Sequence, residues 1–282
     1  MHPEPREFYY RIPWRVNLGQ PGTHRARLPG GSGEIQGLTT LLRAADHRRI
    51  DIRASSRDPF GELWFRTFRQ RTVTPIYLLA DLSRSMRFSG HTRKLELLAA
   101  MTRSTAYSAN RSGDPFGFIG CDSTVRQDWF LPPGWQPAAA DVLAQRLGAW
   151  QPDGVSAEGL LAGTQLLGQQ RALVFLVSDF HFPLALLRRI LDRLSNHAVV
   201  PVVIWDRAEY QALPRRGLAW VQDPESGRSR LLVLRAALRE RIAQAFEQRW
   251  ERLRTMCTQQ GCKPVLLQDT FDPDVLTRYF HA

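Results

Sequence analysis

Apolar runs alternate with amphipathic stretches through most of the chain, and this alternation predicts an α/β fold. Residues 76–80 are five consecutive apolar residues, and comparable runs occupy 172–177 and 199–205. Unbroken apolar runs of this length suit central strands that are covered on both faces. Residues 184–194 instead repeat their apolar positions at helical spacing, which predicts an amphipathic helix. Strands that alternate with helices are typical of a mostly parallel sheet.

The same patterns predict the other elements of the larger part of the chain. Predicted strands lie at 76–81, 116–121, 125–131, 172–179, 199–205 and 264–268, with a hairpin formed by 217–221 and 229–234. Predicted helices lie at 92–111, 138–148, 157–170, 183–194, 235–259 and 272–281. The strand at 125–131 follows a short Asp-Ser turn, so we expect it to pair antiparallel with the strand before it. The predicted sheet is therefore parallel except at one edge.

The first 73 residues follow a different pattern, and we interpret 1–73 as an accessory segment and 74–282 as the main domain. The accessory segment is rich in Arg and irregular, with a Gly-rich break at 29–33. Two short patterns predict β structure within it: apolar residues alternate at 50–54, and residues 63–69 are rich in aromatic side chains. The segment is therefore expected to be irregular and partly β.

Three oxygen-bearing side chains follow the first strand of the main domain. Asp81, Ser83 and Ser85 form an Asp-x-Ser-x-Ser motif where the apolar run gives way to a loop. In open α/β sheets, ligands bind outside the carboxyl ends of the strands. A carboxylate and two hydroxyls suit Mg²⁺ or Mn²⁺, which prefer oxygen ligands. The alternative is that these residues only cap the following helix.

Two further segments carry oxygen atoms to comparable places. Ser178-Asp179 ends another apolar strand, and Asp153-Gly154-Val155-Ser156 opens the helix predicted at 157–170. Helix capping alone explains such repetition poorly, although Ser156 is also well suited to cap that helix. The candidate metal ligands are Asp81, Ser83, Ser85, Asp153, Ser156 and Asp179.

These motifs together resemble a von Willebrand factor A-type domain, which has Asp-x-Ser-x-Ser, a Gly-containing loop with a hydroxyl, and Ser-Asp after a strand. The upstream block from Asp46 to Ser56 is similar to one found in a bacterial family of unknown function, domain of unknown function fifty-eight. That family is associated with MoxR-type AAA+ ATPases. The likeness runs from about Thr23 to the C-terminus. It implies a von Willebrand factor A-like, mostly parallel sheet flanked by helices.

The resemblance also implies a metal ion-dependent adhesion site. Asp81, Ser83 and Ser85 would bind the cation, and Asp179 would hold a metal-bound water or orient Ser83. The family pattern has Thr after Gly-Gly in the middle loop, whereas this chain has Val155, which has no oxygen to offer. Ser156 or Asp153 is left to replace it. We therefore expect Mg²⁺, or Mn²⁺, to bind weakly.

The function implied is a noncatalytic, divalent-cation-dependent protein-binding module. It would be an adaptor for a MoxR-type AAA+ ATPase in chaperone-like remodelling or assembly of a client protein. A metal-dependent phosphoester hydrolase is the alternative, but that chemistry usually needs two carboxylates close to the metal and a base. The sequence contains no P-loop, Gly-x-Ser-x-Gly or HExxH motif, and His181 is the one histidine close to the candidate residues.

The charge distribution changes this picture in one respect. The net charge is +11, and residues 1–73 hold 13 Arg against seven acidic residues. An Arg-rich segment could dock an acidic partner, bind nucleic acid, or form only a solvated face. The mixture of signs around Arg48 and Arg49 favours specific ion pairing over a uniform phosphate-binding face. Nucleic-acid binding through the Arg-rich segment is a third hypothesis for the function, although the mixed charges favour it less.

The composition also bears on where in the cell the protein is expected to work. No apolar run approaches the roughly 18 residues that a membrane span needs, and the N-terminus has no secretory signal pattern. The three cysteines form neither a CxxC pair nor a His-rich tract, so a zinc site is not expected. These features predict a cytoplasmic protein that does not enter a membrane, and the family resemblance implies that it is bacterial.

Overall fold

The computed structural model describes residues 6–12, 21–40, 50–210, 217–222, 229–234 and 236–282. The chain divides into two compact units, which are described separately here. The larger comprises Met1–Arg11, Pro75–Arg111 and Pro115–Ala282. The smaller comprises Ile12–Thr74 and Ser112–Asp114.

A six-stranded sheet forms the centre of the larger unit. Its strands are β3 (Ile76–Asp81), β4 (Phe116–Cys121), β5 (Val125–Gly134), β6 (Leu173–Ser178), β7 (Ala198–Trp205) and β10 (Val265–Gln268). Their order is β10-β7-β6-β3-β4-β5, and every neighbouring pair is parallel except β4 with β5. The predicted α/β class and the predicted antiparallel edge strand are therefore confirmed.

The burial of the central strands explains their unbroken apolar sequences. Every residue of β3, β4 and β6 is buried. The helices of the larger unit are α2 (Lys94–Ser112), α3 (Pro137–Ala149), α4 (Gly159–Gly163), α5 (Leu184–Arg193), α6 (Ala236–Gln259) and α7 (Pro273–His281). A hairpin of β8 (Gly217–Gln222) and β9 (Ser229–Leu234) precedes α6, as the sequence predicts. A strand with both faces covered has no polar face to present, so its sequence does not alternate.

The strand order reverses next to β3. Strand β4 pairs with one edge of β3, whereas β6 pairs with the other. The connections leaving the carboxyl ends of β3 and β6 therefore run in opposite directions across the sheet. This topological switch point is the usual ligand position in open α/β sheets. It is also where the sequence places Asp81 and Asp179.

The first described residues belong to the larger unit. The backbone N–H of Phe8 donates a hydrogen bond to Ser108 Oγ over 2.9 Å. The ring of Phe8 makes an edge contact with Phe175 of β6, with ring centroids 5.8 Å apart. Phe8 is fully buried. This stretch is therefore anchored through its backbone to the helix at Lys94–Ser112 and through its side chain to the sheet.

Two elements in the smaller unit differ from the prediction, because a strand runs through the Gly-rich break at 29–33 and the strand expected at 50–54 is absent. Strands β1 (Pro21–Thr40) and β2 (Trp64–Thr72) pair antiparallel, but 50–54 is not a strand. The chain forms the short helix α1 (Ile52–Ser56) there, because the Asp51 carboxylate accepts a hydrogen bond from Ala54 N–H and caps the first turn. The apolar alternation was misleading because Ile52 is 77% exposed. Arg48 and Arg49 lie outside the described residues.

The helix predicted at 157–170 is also shorter than expected. Helix α4 covers only five residues and continues as a 3₁₀ turn at Thr164–Leu167. Gly168 ends this turn with a φ of 71°, a conformation that glycine adopts without strain. No helix in the described parts of the chain is both long enough and apolar enough to cross a membrane.

Candidate functional site

Two buried carboxylates lie at the switch point. Asp81 is the last residue of β3, and Asp179 directly follows β6; neither side chain is exposed to solvent. Because β3 and β6 are parallel neighbours, their carboxyl ends meet at one edge of the sheet. The fold thus brings together two acidic residues that are 98 positions apart in sequence.

The two serines of the motif connect these carboxylates. The backbone N–H of Ser83 donates to Asp81 Oδ1 over 2.8 Å, which turns the chain back toward the strand end. Ser83 Oγ lies 3.1 Å from Ser85 Oγ, and Ser85 Oγ donates to Asp179 Oδ1 over 3.1 Å. The structure therefore brings four of the six candidate ligands into one hydrogen-bonded group, which we call the strand-end cluster: Asp81, Ser83, Ser85 and Asp179.

Ser178 completes the contacts of Asp81. Its hydroxyl donates to Asp81 Oδ2 over 2.6 Å and accepts from Phe180 N–H over 2.8 Å. Among the described residues, no cationic side chain forms an ion pair with Asp81. Burial and, next, the negative charge of Asp179 raise the pKa of Asp81 to about 6. Asp81 is thus a buried acid whose ionised form lacks a compensating positive charge.

Asp179 is in the opposite electrostatic situation, because Lys94 accompanies it. Lys94 Nζ lies 2.8 Å from Asp179 Oδ2 and 2.6 Å from Glu209 Oε1, and the lysine side chain is only 1% exposed. Burial alone would raise the pKa of Asp179, but the Lys94 charge, His181 and the hydrogen bonds that both residues donate together outweigh burial and lower the pKa to about 2. The two carboxylates likewise raise the pKa of Lys94 against the opposing effect of burial.

Sequence reasoning missed Lys94 and Glu209. A usable signal was present: the chain has 38 basic residues, of which only Lys94 and Lys263 are lysines. A chain that otherwise uses Arg places a compact ammonium group beside this cluster. Glu209 gave no comparable signal, because it lies in a 3₁₀ turn at Arg207–Glu209 that the sequence pattern did not predict.

The middle loop approaches the cluster through its backbone. Gly154 forms a bridge with Ser83, and its carbonyl accepts a hydrogen bond from Arg84 N–H over 2.7 Å. Ser156 Oγ accepts from Glu158 N–H over 3.0 Å, and the exposed Asp153 carboxylate pairs with Arg126. Ser156 and Asp153 thus have other partners and make no direct hydrogen bond to the strand-end cluster. A small pocket beside the cluster is lined by Ser83, Arg84, Ser85, Gly154, Val155, Ser156, Ala157 and Phe182.

Gly154 is expected to be essential for this approach. A Cβ atom added at Gly154 would lie 2.4 Å from Asp122 Cβ. The Asp122 side chain accepts from Thr124 N–H and pairs with Arg126, so it is poorly able to move away. Gly154→Ala should therefore lower the unfolding free energy by about 1–3 kcal/mol, as overpacking does.

Gly148→Ala is the matched control for this substitution. Gly148 lies in helix α3, and an added Cβ would meet nothing within 4 Å. This variant should gain about 0.5–1 kcal/mol, because Ala loses less backbone entropy in a helix than Gly. Chemical denaturation of both variants is the measurement. Equal stability of the two variants would contradict the close packing of the loop.

The donor atoms of the cluster suit a hard divalent cation. Its side chains offer only oxygen, from two carboxylates and two hydroxyls, and Asp81 lacks a positive partner among the described residues. Among the residues that the structure describes, no group of three or more His, Cys, Asp or Glu side chains is placed to hold a metal ion. The residues therefore fit a cation such as Mg²⁺ that keeps several waters, and do not fit a metal bound by many charged ligands.

Comparison with solved structures gives only weak likenesses. An aerotolerance-related membrane protein from Bacteroides fragilis, with multiple mutations to serines, is 12% identical with a TM-score of 0.41, covering 74% of this chain and 97% of that one. The conserved hypothetical protein BatB from Bacteroides thetaiotaomicron is 12% identical with a TM-score of 0.42, covering 74% and 96%. Similarities with TM-scores this low do not establish a shared fold or function for this chain.

Comparison with sequences is more informative. A protein from Paracoccus denitrificans, described as "Uncharacterized protein in moxR 3'region", is 34% identical over 99 residues, which are 35% of this chain and 94% of that protein. Residues 44–252 match the family described as "Protein of unknown function DUF58". This match spans most of the chain and confirms the family predicted from the motifs: the protein belongs to the DUF58 family.

Proposed function

We propose that this protein is a noncatalytic, divalent-cation-dependent protein-binding module with a von Willebrand factor A-like domain. The observation that carries the proposal is the strand-end cluster: two buried carboxylates and two hydroxyls, joined by hydrogen bonds at the switch point of a parallel sheet. A divalent cation held by Asp81, Ser83 and Ser85 would offer an open coordination position to a carboxylate of a partner protein.

The residues of the cluster have distinct roles in this proposal. Asp81 supplies the negative charge for the cation, because Lys94 already compensates Asp179. Ser83 and Ser85 supply neutral oxygens, so few anionic ligands surround the cation. Asp179 accepts a hydrogen bond from the Ser85 hydroxyl and thereby orients the Ser85 side chain. A site with so little ligand charge is expected to bind the cation weakly and to leave it attractive to an incoming acid.

A noncatalytic role is supported by the surroundings of His181. Its ring stacks on Trp205 with an interplanar angle of 3° and makes an edge contact with Phe246. Its Nε2 lies 3.7 Å from Glu209 Oε1. A histidine whose ring packs against two aromatic rings at the edge of the core is better explained by packing than as a general base for a hydrolase.

We propose that the partner is a MoxR-type AAA+ ATPase, and that the module acts as its adaptor in remodelling or assembling a client protein. The support is the Paracoccus denitrificans relative, which is described as a protein in the 3' region of moxR. We further propose that the protein works in the cytoplasm, where such an ATPase has access to ATP.

Co-purification from the native cell tests this function. Wild-type protein should retain the ATPase in buffer that contains Mg²⁺ and release it in a chelator. Asp81→Asn should fail to retain the ATPase in either buffer, whereas the matched control Asp153→Asn should behave as the wild type, because Asp153 is exposed and pairs with Arg126. Retention by Asp81→Asn in the chelator would contradict the proposal.

Val155→Thr is expected to tighten cation binding several-fold. Val155 lines the pocket beside Ser83 and Ser85, and Thr adds one hydroxyl in nearly the same shape. The side chain is 53% exposed, so the new hydroxyl has little desolvation cost. Calorimetric titration with Mn²⁺ is the measurement, and Val142→Thr, at a similarly exposed valine in α3, is the control. Unchanged affinity would mean that residue 155 does not reach the cation, and would favour Ser156 as the contact from this loop.

A further inference from the structure

A buried positive charge lies directly beside the strand-end cluster. Lys94 Nζ contacts Asp179 Oδ2 and Glu209 Oε1 at 2.8 Å and 2.6 Å, and the side chain is only 1% exposed. Thirty-six of the 38 basic residues in the chain are Arg, so lysine at this position is unusual for this sequence. An ammonium is a compact point charge, whereas a guanidinium is a planar fork. The compact group suits the narrow space between two carboxylates.

The ammonium is held firmly in place from the Glu209 side. Glu209 Oε2 accepts a hydrogen bond from Asp206 N–H over 3.2 Å, which closes a capping box around the 3₁₀ turn. The Asp206 carboxylate in turn accepts from Thr92 N–H, two residues before Lys94, over 3.0 Å. The turn that supplies Glu209 is therefore tied to the segment that supplies Lys94. Such a closed network leaves the ammonium little freedom to leave its position.

The two oxygens of Asp179 have different partners. Oδ1 accepts hydrogen bonds from Ser85 Oγ and from His181 N–H, whereas Oδ2 contacts Lys94. When Asp81 is ionised, the group formed by Asp81, Asp179, Glu209 and Lys94 has two net negative charges. One divalent cation would neutralise this group. The ammonium of Lys94, which is tethered, and the divalent cation, which can exchange, would then both be attracted by the Asp179 carboxylate.

We propose that Lys94 is a tethered cation of the site: it keeps Asp179 oriented when no metal is bound, and it weakens the binding of a divalent cation. This inference rests on the proposed cation site. Its consequence is a site that stays assembled when the metal leaves, so that the metal exchanges without local unfolding. Weak affinity is then a property set by Lys94 as well as by the missing Thr at Val155.

The affinity of Lys94→Met for Mn²⁺ tests this role. The experiment titrates the full-length chain with MnCl₂ and follows free Mn²⁺ by electron paramagnetic resonance. Lys94→Met should bind Mn²⁺ more tightly than wild type by about tenfold or more, because a like charge beside the cation has been removed. Lys263→Met changes the other lysine, which is exposed, and should bind as wild type. In each background, Asp81→Asn should abolish the binding.

A second measurement needs no substitution at the site. Protein labelled with ¹³C at lysine Cε has only two labelled side chains, and Lys263→Met assigns their signals. Substoichiometric Mn²⁺ should broaden the Lys94 signal by paramagnetic relaxation and leave the Lys263 signal sharp. This measurement tests whether the cation lies beside Lys94 even where Lys94→Met fails to fold. Asp81-dependent Mn²⁺ binding that broadens neither signal would overturn the proposal.

The outcomes separate this inference from the proposed function. Wild type that binds Mn²⁺ through Asp81, with no tighter binding in folded Lys94→Met, overturns the role of Lys94 and leaves the cation site standing. Binding by Lys94→Met alone, dependent on Asp81, supports the role of Lys94 and removes the cation-dependent function from the wild type. Absence of binding in both proteins overturns both.

Discussion

Lys94→Met is expected to lower the unfolding free energy of the cation-free protein by about 3–5 kcal/mol, the usual effect of removing one partner from a buried ion pair. The substitution leaves the buried Asp179 and the Glu209 carboxylate, which is only 10% exposed, with no positive charge between them. Met is similar to Lys in length and fills the space, so the loss comes from the charge and little of it from a cavity. Urea denaturation near neutral pH, in a chelator, measures it.

Two comparisons attribute this loss to the ion pairs. Lys263→Met removes the same charge from an exposed position and should change stability by no more than about 0.5 kcal/mol. Lys94→Met combined with Glu209→Gln should recover part of the loss, because one of the two uncompensated carboxylates has been neutralised. Equal stability of the two single variants would show that Lys94 contributes nothing to the fold.

Asp81→Asn is expected to stabilise the cation-free protein near neutral pH. The folded-state pKa of Asp81, about 6, lies above its ordinary value of 3.8. Ionisation therefore costs more in the folded protein than in the unfolded chain. The stability associated with protonated Asp81 is fully present below about pH 4 and is lost as the pH rises through about 6. A rise of the pKa from 3.8 to about 6 corresponds to at most about 3 kcal/mol, so we expect a gain of about 1–3 kcal/mol for Asp81→Asn at pH 7.5.

The pH profile distinguishes this effect from an ordinary packing change. In a chelator, the difference between Asp81→Asn and wild type should grow from about pH 4 to about pH 7 and then level off. Asp179 does not interfere in that window, because its pKa is lowered to about 2 and its contribution is lost only as the pH falls below about 4. A variant less stable than wild type at pH 7.5 would mean that Asp81 is a structural anchor instead.

The architecture around the site could be predicted from sequence because its signals are local. An apolar run such as 76–80 fixes a buried strand, and oxygen-bearing residues directly after it must lie at the carboxyl end. Parallel pairing of two such strands then brings Asp81 and Asp179 together without further information. The antiparallel edge strand was predictable for the same reason, because a short turn joins it to its partner.

Lys94 and Glu209 could not be predicted in this way, because their partnership is not local. Lys94 begins a helix, where a lone basic residue ordinarily faces solvent, and Glu209 follows it by 115 positions. Their contact depends on the end of β7 lying beside the start of α2, and no spacing in the sequence encodes that. The error at 50–54 has the opposite cause, because there a local interaction decided the structure. The Asp51 carboxylate caps a short helix, and the alternating apolar residues do not form a shared buried face.

The central claim is that Asp81 anchors a divalent cation at the carboxyl end of β3, and a Mn²⁺ titration of the full-length chain near neutral pH tests it most directly. Wild type and the exposed control Asp153→Asn should bind one Mn²⁺ weakly and with equal affinity. Asp81→Asn, shown by its far-ultraviolet circular dichroism to be folded, should bind none. Identical binding by wild type and Asp81→Asn would contradict the account.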